Sequence, residues 1–304
     1  MRSDVTPPRH ALLLTAGIGT RLRPLTLVRA KAAIPVAGVP LARRIVSWLA
    51  GNGVTDLVVN LHHLPATITA VLGDGSDLGA RIRYSWEQPV VLGSAGGPRQ
   101  ALPLVGADRF LIVNGDVLTD VDLHALAAAH ASSGAMVTLA LVPNREPLRY
   151  GGVRLDERRQ VVGFVTRGPA AAGSFHFIGP QMVEAAAFQS VPMGRPMSSI
   201  GRLYDDLLAS RPGSVRGFVS NASYWDIGTV ADYWASSVAL AGPEAAAASR
   251  SILWDDVRIG EGAVLDECIV TDGVSVPPGR RYRRMILLNA PSGAPVATPF
   301  DVRP

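Results

Sequence analysis

The stretch Leu14-Thr15-Ala16-Gly17-Ile18-Gly19-Thr20-Arg21-Leu22-Arg23-Pro24-Leu25-Thr26, with Lys31 shortly after it, decides how this chain is read. A short apolar strand, Ala11–Leu14, runs into a glycine-containing loop and then into basic residues. Glycines let backbone N–H groups approach an anion closely, and successive N–H groups make a nest for phosphate. Arg21 offers a forked donor and Lys31 a compact, movable charge. Two familiar phosphate loops do not fit. A dinucleotide fingerprint from Gly17-Ile18-Gly19 needs a third glycine where Leu22 stands, and an acidic residue near Ala37-Gly38-Val39. A P-loop needs Gly-Lys followed by Ser or Thr, and none is present. An ordinary tight turn would explain two glycines alone, but not the whole string.

Outward from this loop, strand-like and helix-like segments alternate. Leu41–Ala50 has apolar residues at helical spacing, closed by Gly51 and Gly53. Leu57–Leu61 is a continuous apolar strand of the kind buried on both faces. Ile82–Trp86 alternates, and Phe110–Val113 is a buried strand leading into Asn114-Gly115-Asp116. Asp122 opens an alanine-rich helix to His130, and Met136–Val142 is a strand. This order predicts an α/β domain with a mainly parallel sheet, whose ligands bind at the carboxyl ends of the strands. Val153–Val165 reads as a hairpin laid over the sheet. Ile200–Ala209 and Thr229–Leu240 read as helices.

The expected organisation is a catalytic domain over residues 1–242, a linker over 243–250, and a small domain over 251–304. In the last part apolar residues recur every six positions: Val264, Val270 and Val276; Val257, Ala263 and Ile269; Ile259 and Leu265; Cys268 and Val274. Such a repeat marks a parallel β-helix of a few stacked coils. Cys268 falls inside it and reads as a buried apolar side chain. The arginines around Tyr282, from Arg280 to Arg284, read as solvated surface.

Composition bounds the function. The 304 residues are 48% hydrophobic and carry a formal net charge of +4. That excludes disorder, and it suits an anionic small substrate without indicating nucleic acid. No apolar run reaches the length of a membrane span. Met1–His10 has no apolar segment, so no signal peptide is expected. One cysteine points to a reducing, cytoplasmic setting. Of the 29 basic residues only Lys31 is a lysine. In a chain so biased towards arginine, a surviving lysine is a candidate for chemistry that guanidinium cannot do.

The string from Gly17 to Thr26, followed by Lys31, resembles the sugar-1-phosphate nucleotidylyltransferases, also called nucleotide-sugar pyrophosphorylases. Their Gly-x-Gly-Thr-Arg-Leu-x-Pro-Leu-Thr motif is matched residue by residue, and Lys31 falls at the family's lysine. Leu92-Gly93-Ser94-Ala95-Gly96 resembles the Leu-Gly-Thr-Ala-Gly segment that holds the nucleotide. Asn114-Gly115-Asp116 resembles the metal-binding strand end, and Tyr150-Gly151 the sugar-side Tyr-Gly. Trp225-Asp226-Ile227-Gly228-Thr229 resembles the Trp-x-Asp-x-Gly-Thr segment. These separated segments occur in family order over nearly the whole chain. The resemblance implies a Rossmann-like, mainly parallel mixed sheet with a short C-terminal left-handed β-helix cap, which by analogy mediates a homo-oligomer.

It also implies the reaction NTP plus sugar 1-phosphate giving NDP-sugar plus pyrophosphate. The attacking phosphate oxygen is already anionic, so catalysis is positioning and charge stabilisation. Asp116 and Asp226 would hold Mg²⁺. Arg21 would hold the departing phosphates, and Lys31 would bridge them as charge shifts. The nucleotide contacts implied are Ala16, Gly17, Gly19, Thr20, Arg21, Glu87, Gln88, Gly93, Ser94, Ala95, Gly96, Asn114 and Gly115. Those for the sugar phosphate are Tyr150, Gly151, Thr166, Arg167 and Gly179. Without the resemblance, Asp116 would read as a turn or cap residue and Asp226 as leading into a helix. Asp120, Asp122, His62 and His63 read as turn, cap and loop residues.

Three positions depart from the family. Its Pro before the lysine is Ala30, which removes loop rigidity. Its Glu-Lys-Pro at the sugar site is Thr166-Arg167-Gly168. Its Asn on the next strand is Phe177. Related uridylyltransferases acting on N-acetylmuramate 1-phosphate depart here too. Glu87-Gln88 before the nucleotide segment looks most like mannose-1-phosphate guanylyltransferases, so GTP with mannose 1-phosphate is favoured. Uridylyl or thymidylyl transfer stays open, as does a degenerate homologue that senses a nucleotide sugar.

Overall fold

The computed structural model describes residues 6–248, 251–291 and 293–301. The start of the N-terminal stretch discussed above, and the last two residues of the expected linker, lie outside them. The chain divides into two compact units. The first is Met1–Gly17, Ile45–Pro65 and Leu72–Tyr224; the second is Ile18–Arg44, Ala66–Val71 and Trp225–Pro304.

The first unit is built on a nine-stranded mixed sheet. Its strands are β1 (His10–Leu14), β2 (Asp56–Leu61), β3 (Arg81–Trp86), β4 (Arg109–Asn114), β5 (Val137–Pro143), β6 (Gly152–Leu155), β7 (Val161–Val165), β8 (Phe175–Glu184) and β9 (Val215–Val219). The order is β7-β6-β8-β4-β1-β2-β3, with β5 pairing β8 and β9. β1 runs parallel to β2 and β4, and β2 parallel to β3. β8 is antiparallel to β4, β5 and β6. The continuous apolar runs explain the centre: Leu12, Val58, Phe110 and Ile112 are buried in one core with Leu139 and Leu141. The register then sets the site. Leu14 is paired with Asn60 on one side and Asn114 on the other, so three strands end at one level.

Helices α1 (Leu41–Gly51), α2 (Pro65–Leu72), α3 (Gly93–Val105), α4 (Leu123–Ser133), α5 (Tyr204–Ser210) and α6 (Val230–Ala248) complete the order. Asp122 caps α4, its carboxylate accepting the Ala125 N–H at 3.0 Å. Two expectations are corrected in this unit. The 153–165 hairpin extends the sheet edge instead of lying over the sheet, because β6 pairs with β8 at Val153 and Phe175. The helix expected from Ile200 begins only at Tyr204. Gly201 takes φ +84 there, and Asp205 accepts its N–H at 2.8 Å.

In the second unit, short strands form three parallel ladders. β10 (Ile252–Leu253), β11 (Arg258–Ile259), β12 (Val264–Asp266), β13 (Ile269–Val270), β14 (Ser275–Val276), β15 (Arg281–Arg283) and β16 (Met285–Leu288) are followed by β17 (Val296–Pro299), antiparallel to β16. The ladders are β10-β13-β16, β11-β14 and β12-β15. Paired strands lie 17 residues apart in the chain, the spacing that also separates Cys268, whose N–H donates to Ser251 Oγ, from its acceptor. That is one short of three sixes, so the six-residue frame slips from one strand to its partner. Cys268, Val270, Val274, Val276 and Leu287 fill the interior, while Val264 and Ile259 are exposed. Burial pushes the Cys268 thiol pKa up, in keeping with an apolar role. Arg283 and Arg284 pair with Asp266 and Glu267, 17 residues earlier in the chain.

The units also cut across the expected division near residue 242. α6 continues to Ala248 through a break at Gly242, so most of the stretch read as a linker is helical. Side-chain bonds from Tyr233 to Pro35, and from Arg29 to Asp255 and Asp272, join residues 18–44 to α6 and to the turns after β10 and β13 within one unit. Among the described residues no helix is long and apolar enough to cross a membrane.

Candidate functional site

In the first unit a buried polar chain fixes the strand ends. The Thr15 and Ala16 N–H groups both donate to Asn60 Oδ1, at 2.5 and 3.2 Å, and the Thr15 hydroxyl donates to the Asn60 carbonyl. Asn60 Nδ2 donates to Glu87 Oε1 at 2.7 Å, and the Leu92 N–H donates to Glu87 Oε2 at 2.6 Å. Glu87 is only 1% exposed, and burial raises its pKa against these two donors. The expectation that Glu87 contacts the nucleotide is therefore corrected. Both its oxygens are occupied in holding β2 to the loop before α3. Its neighbour Gln88 is exposed. Asn60 escaped the sequence reading, although a polar residue inside the apolar run Leu57–Leu61 needs a buried partner.

The segment opening α3 is divided in the same way. Ala95 and Gly96 are buried, and their N–H groups donate to the Met197 carbonyl at 2.9 and 3.2 Å. Ser94 Oγ accepts from the Ser199 N–H at 2.8 Å. Gly93 is exposed with φ +74, where an added Cβ would stand 2.8 Å from the Met197 carbonyl oxygen. So Gly93 and the half-buried Ser94 are reachable for a ligand, whereas the Ala95 and Gly96 amides are engaged within the fold. No local motif announced the segment around Met197.

Next along the strand ends, the Gly115 N–H donates to the Leu14 carbonyl at 2.9 Å, and Gly179 lies against Asn114. Asp116 follows, half-buried. On the sheet-edge side, Tyr150, His176 and Tyr224 form one aromatic group. Tyr150 and His176 have ring centroids 4.1 Å apart, and His176 and Tyr224 5.0 Å. Arg149 stands over Tyr150 at 4.9 Å. Burial, reinforced by Arg149, lowers the His176 pKa to about 4. Gly151 approaches the backbone of Val165 and Arg167, while the Thr166 and Arg167 side chains are exposed. His176 and Tyr224 were missing from the expected sugar-side set; only their packing on Tyr150 identifies them.

In the second unit the loop expected to meet phosphate is a series of single turns, Thr20–Leu22, Leu25–Leu27 and Lys31–Ala33. Leu22 and Leu25 are fully buried and anchor it, leaving Thr20 and Arg21 exposed. Gly19 takes φ +66, and an added Cβ would meet Thr26 Cγ2 at 2.8 Å and the Lys31 Cβ at 3.4 Å. Only glycine fits there. Thr26 pins the turn by donating to the Gly19 carbonyl at 2.9 Å. Ala30, standing at the family's proline position, takes a proline-like φ of −56 and uses its N–H to reach Thr67 Oγ1 at 3.0 Å. Thr229 and Asp232 cap α6 reciprocally, at 3.0 and 3.2 Å. Asp226 is thus not the capping residue, and its carboxylate oxygens lie beside Gly228.

Asp116 belongs to the first unit and Asp226 to the second. Among the described residues no group of three or more His, Cys, Asp or Glu side chains is arranged to hold a metal.

A family profile described as "Nucleotidyl transferase" matches residues 10–242. The chain is 33% identical over 294 residues to the mannose-1-phosphate guanylyltransferase of Mycobacterium tuberculosis, covering 88% of this chain and 81% of that one. It is 48% identical over 115 residues to the N-acetylmuramate alpha-1-phosphate uridylyltransferase of Neisseria meningitidis serogroup B, covering 38% and 50%. Its fold is similar to that of HddC from Yersinia pseudotuberculosis complexed with GMP-PN, with a TM-score of 0.65 and 21% identity, covering 76% and 98%. The matched region takes in the loop Gly17–Lys31 and the strand ends, and the chain belongs to the nucleotidyl transferase family.

Proposed function

We propose that the protein transfers a nucleotidyl group from an NTP to a sugar 1-phosphate, releasing pyrophosphate. The preferred pair is GTP and mannose 1-phosphate, or a related sugar. The observation that carries this reading is the phosphate loop. Exposed Arg21 and half-buried Lys31 lie in the first and last of its turns, with Leu22 and Leu25 buried and Thr26 bonded to the Gly19 carbonyl. The relative from Mycobacterium tuberculosis favours guanylyl transfer, since it covers most of both chains. Uridylyl transfer is the second reading, favoured by the higher identity of the Neisseria meningitidis relative over its shorter match.

In this mechanism Arg21 grips the departing β- and γ-phosphates. Lys31 follows the charge as it moves to the leaving group, and the Tyr150 side of the sheet receives the sugar phosphate. By the family resemblance, Asp116 and Asp226 are the carboxylates that would hold a divalent cation, because hard oxygen ligands suit Mg²⁺. Mg²⁺ bound by them would supply charge neutralisation at the phosphates. The ladder pairing fits a β-helix cap, and its left-handed sense is part of the proposal. A buried, single Cys268 supports a reducing, cytoplasmic setting. The test is a matrix of NTPs against sugar 1-phosphates, read by pyrophosphate release with Mg²⁺ present and after chelation. A best pair that includes GTP is expected. Release with UTP alone would select the second reading, and release that survives chelation would remove the metal from it.

A further inference from the structure

Lys31 opens a single short turn, in which the Ala33 N–H donates to the Ala30 carbonyl at 2.8 Å and the Ile34 N–H to the Lys31 carbonyl at 3.3 Å. Both flanks of this turn are held by side chains from far along the chain. Upstream, Arg29 is gripped by two carboxylates. Its Nε lies 2.6 Å from Asp272 Oδ2, and its Nη2 lies 2.7 Å from Asp272 Oδ1 and 2.5 Å from Asp255 Oδ2. The Arg29 side chain is only 12% exposed, and its guanidinium stands 5.5 Å from the centre of the Trp254 ring. Downstream, the Tyr233 hydroxyl donates to the Pro35 carbonyl at 2.8 Å, and Trp254 Nε1 donates to that same hydroxyl at 2.9 Å. Trp254 and Tyr233 are both buried.

Trp254 therefore touches both holds at once, its ring face on Arg29 and its N–H on Tyr233. Arg29 itself is not disposed as a phosphate ligand. A forked, two-point pair with one carboxylate and a second carboxylate alongside neutralise it and fix its direction. The ammonium of a lysine is a point charge on a flexible stem, so its reach depends on where the backbone starts it. We infer that Trp254, with Asp272 and Asp255, positions Lys31 for the reaction, acting through Arg29 on one side of its turn and Tyr233 on the other. This rests on the reading of Lys31 as the residue that acts on the phosphates. It makes the C-terminal ladders part of the active machinery, and it gives the loop the rigidity that Ala30 lacks.

The experiment uses the full chain and two substitutions. Trp254→Phe keeps an aromatic ring under Arg29 and removes the N–H; Asp272→Asn keeps the shape and removes the charge. Each is made alone and in a Lys31→Ala background, with kcat, KM and melting temperature measured on the best substrate pair. Each single variant is expected to lose about tenfold or more in kcat, with KM for the sugar 1-phosphate changed by under about threefold, because misplacement rather than binding is at fault. In the Lys31→Ala background the same substitutions should change kcat by less than about twofold. Equal losses in both backgrounds, or unchanged kcat in both single variants, would overturn the positioning role. Full activity in Lys31→Ala alone would instead overturn the reading of Lys31. If Trp254→Phe or Asp272→Asn does not fold, Tyr233→Phe, which deletes one hydroxyl, is judged by the same criteria.

Discussion

The segment 87–97 and the loop 19–31 are both recognised by motif residues, yet they use those residues in opposite ways. In the first, the polar groups turn inwards. Glu87 is consumed by Asn60 and Leu92, and the Ala95 and Gly96 amides by Met197. In the second, Leu22, Leu25 and Thr26 are buried and shape the loop, while Arg21 stands exposed. A motif position can therefore serve the ligand or the shape of the loop that meets it. Burial and hydrogen-bond occupancy separate the two, and residue identity does not.

The largest effects that would sharpen this contrast are losses of activity at Lys31 in the loop and at Asp226 outside it. Lys31→Ala and Asp226→Ala should each lower kcat by at least about a hundredfold, the usual cost of one lost transition-state contact, with melting temperature nearly unchanged. Lys31→Arg should be severely impaired too, since a planar fork does not reproduce a point charge. In the segment 87–97 the signs reverse. Glu87→Ala strands two buried N–H donors and should cost about 1–3 kcal/mol of stability by urea unfolding. A Glu87→Ala protein with full stability but weak nucleotide binding would break the comparison.

A smaller effect concerns pH. His176 has a folded pKa of about 4, below its ordinary value of 6.5. Between those values the folded state binds fewer protons than the unfolded chain, so stability should fall as pH drops from 6.5 towards 4. His176→Phe should flatten that part of a melting-temperature profile, and an unchanged profile would remove His176 as its source. The smallest effect is expected at Arg167. Its side chain is exposed, and Arg167→Lys should change kcat/KM by less than about threefold.

Much of this architecture is legible in sequence because it rests on local signals. The apolar runs of β1, β2 and β4, and the cap at Asp122, are written in consecutive residues. What was not legible depends on distant pairing. Nothing in 153–165 says that its hairpin joins the sheet edge through Phe175. Nothing near Arg29 announces Asp272, more than two hundred positions away. The six-residue repeat pointed to stacked coils, but the 17-residue step is a property of how the ladders close. Asn60 could have been found, as a polar residue in a buried strand; His176 and Tyr224 could not, because only folding brings them to Tyr150.

Pyrophosphate release by the wild-type chain and by Lys31→Ala, across GTP and UTP with a panel of sugar 1-phosphates, tests the central claim most directly. The account predicts release from one preferred pair, GTP with mannose 1-phosphate or a related sugar, and loss of about a hundredfold in the variant at unchanged melting temperature. No release from any pair, with an NDP-sugar nonetheless raising the melting temperature, would contradict it and mark a protein that senses nucleotide sugars instead of making them.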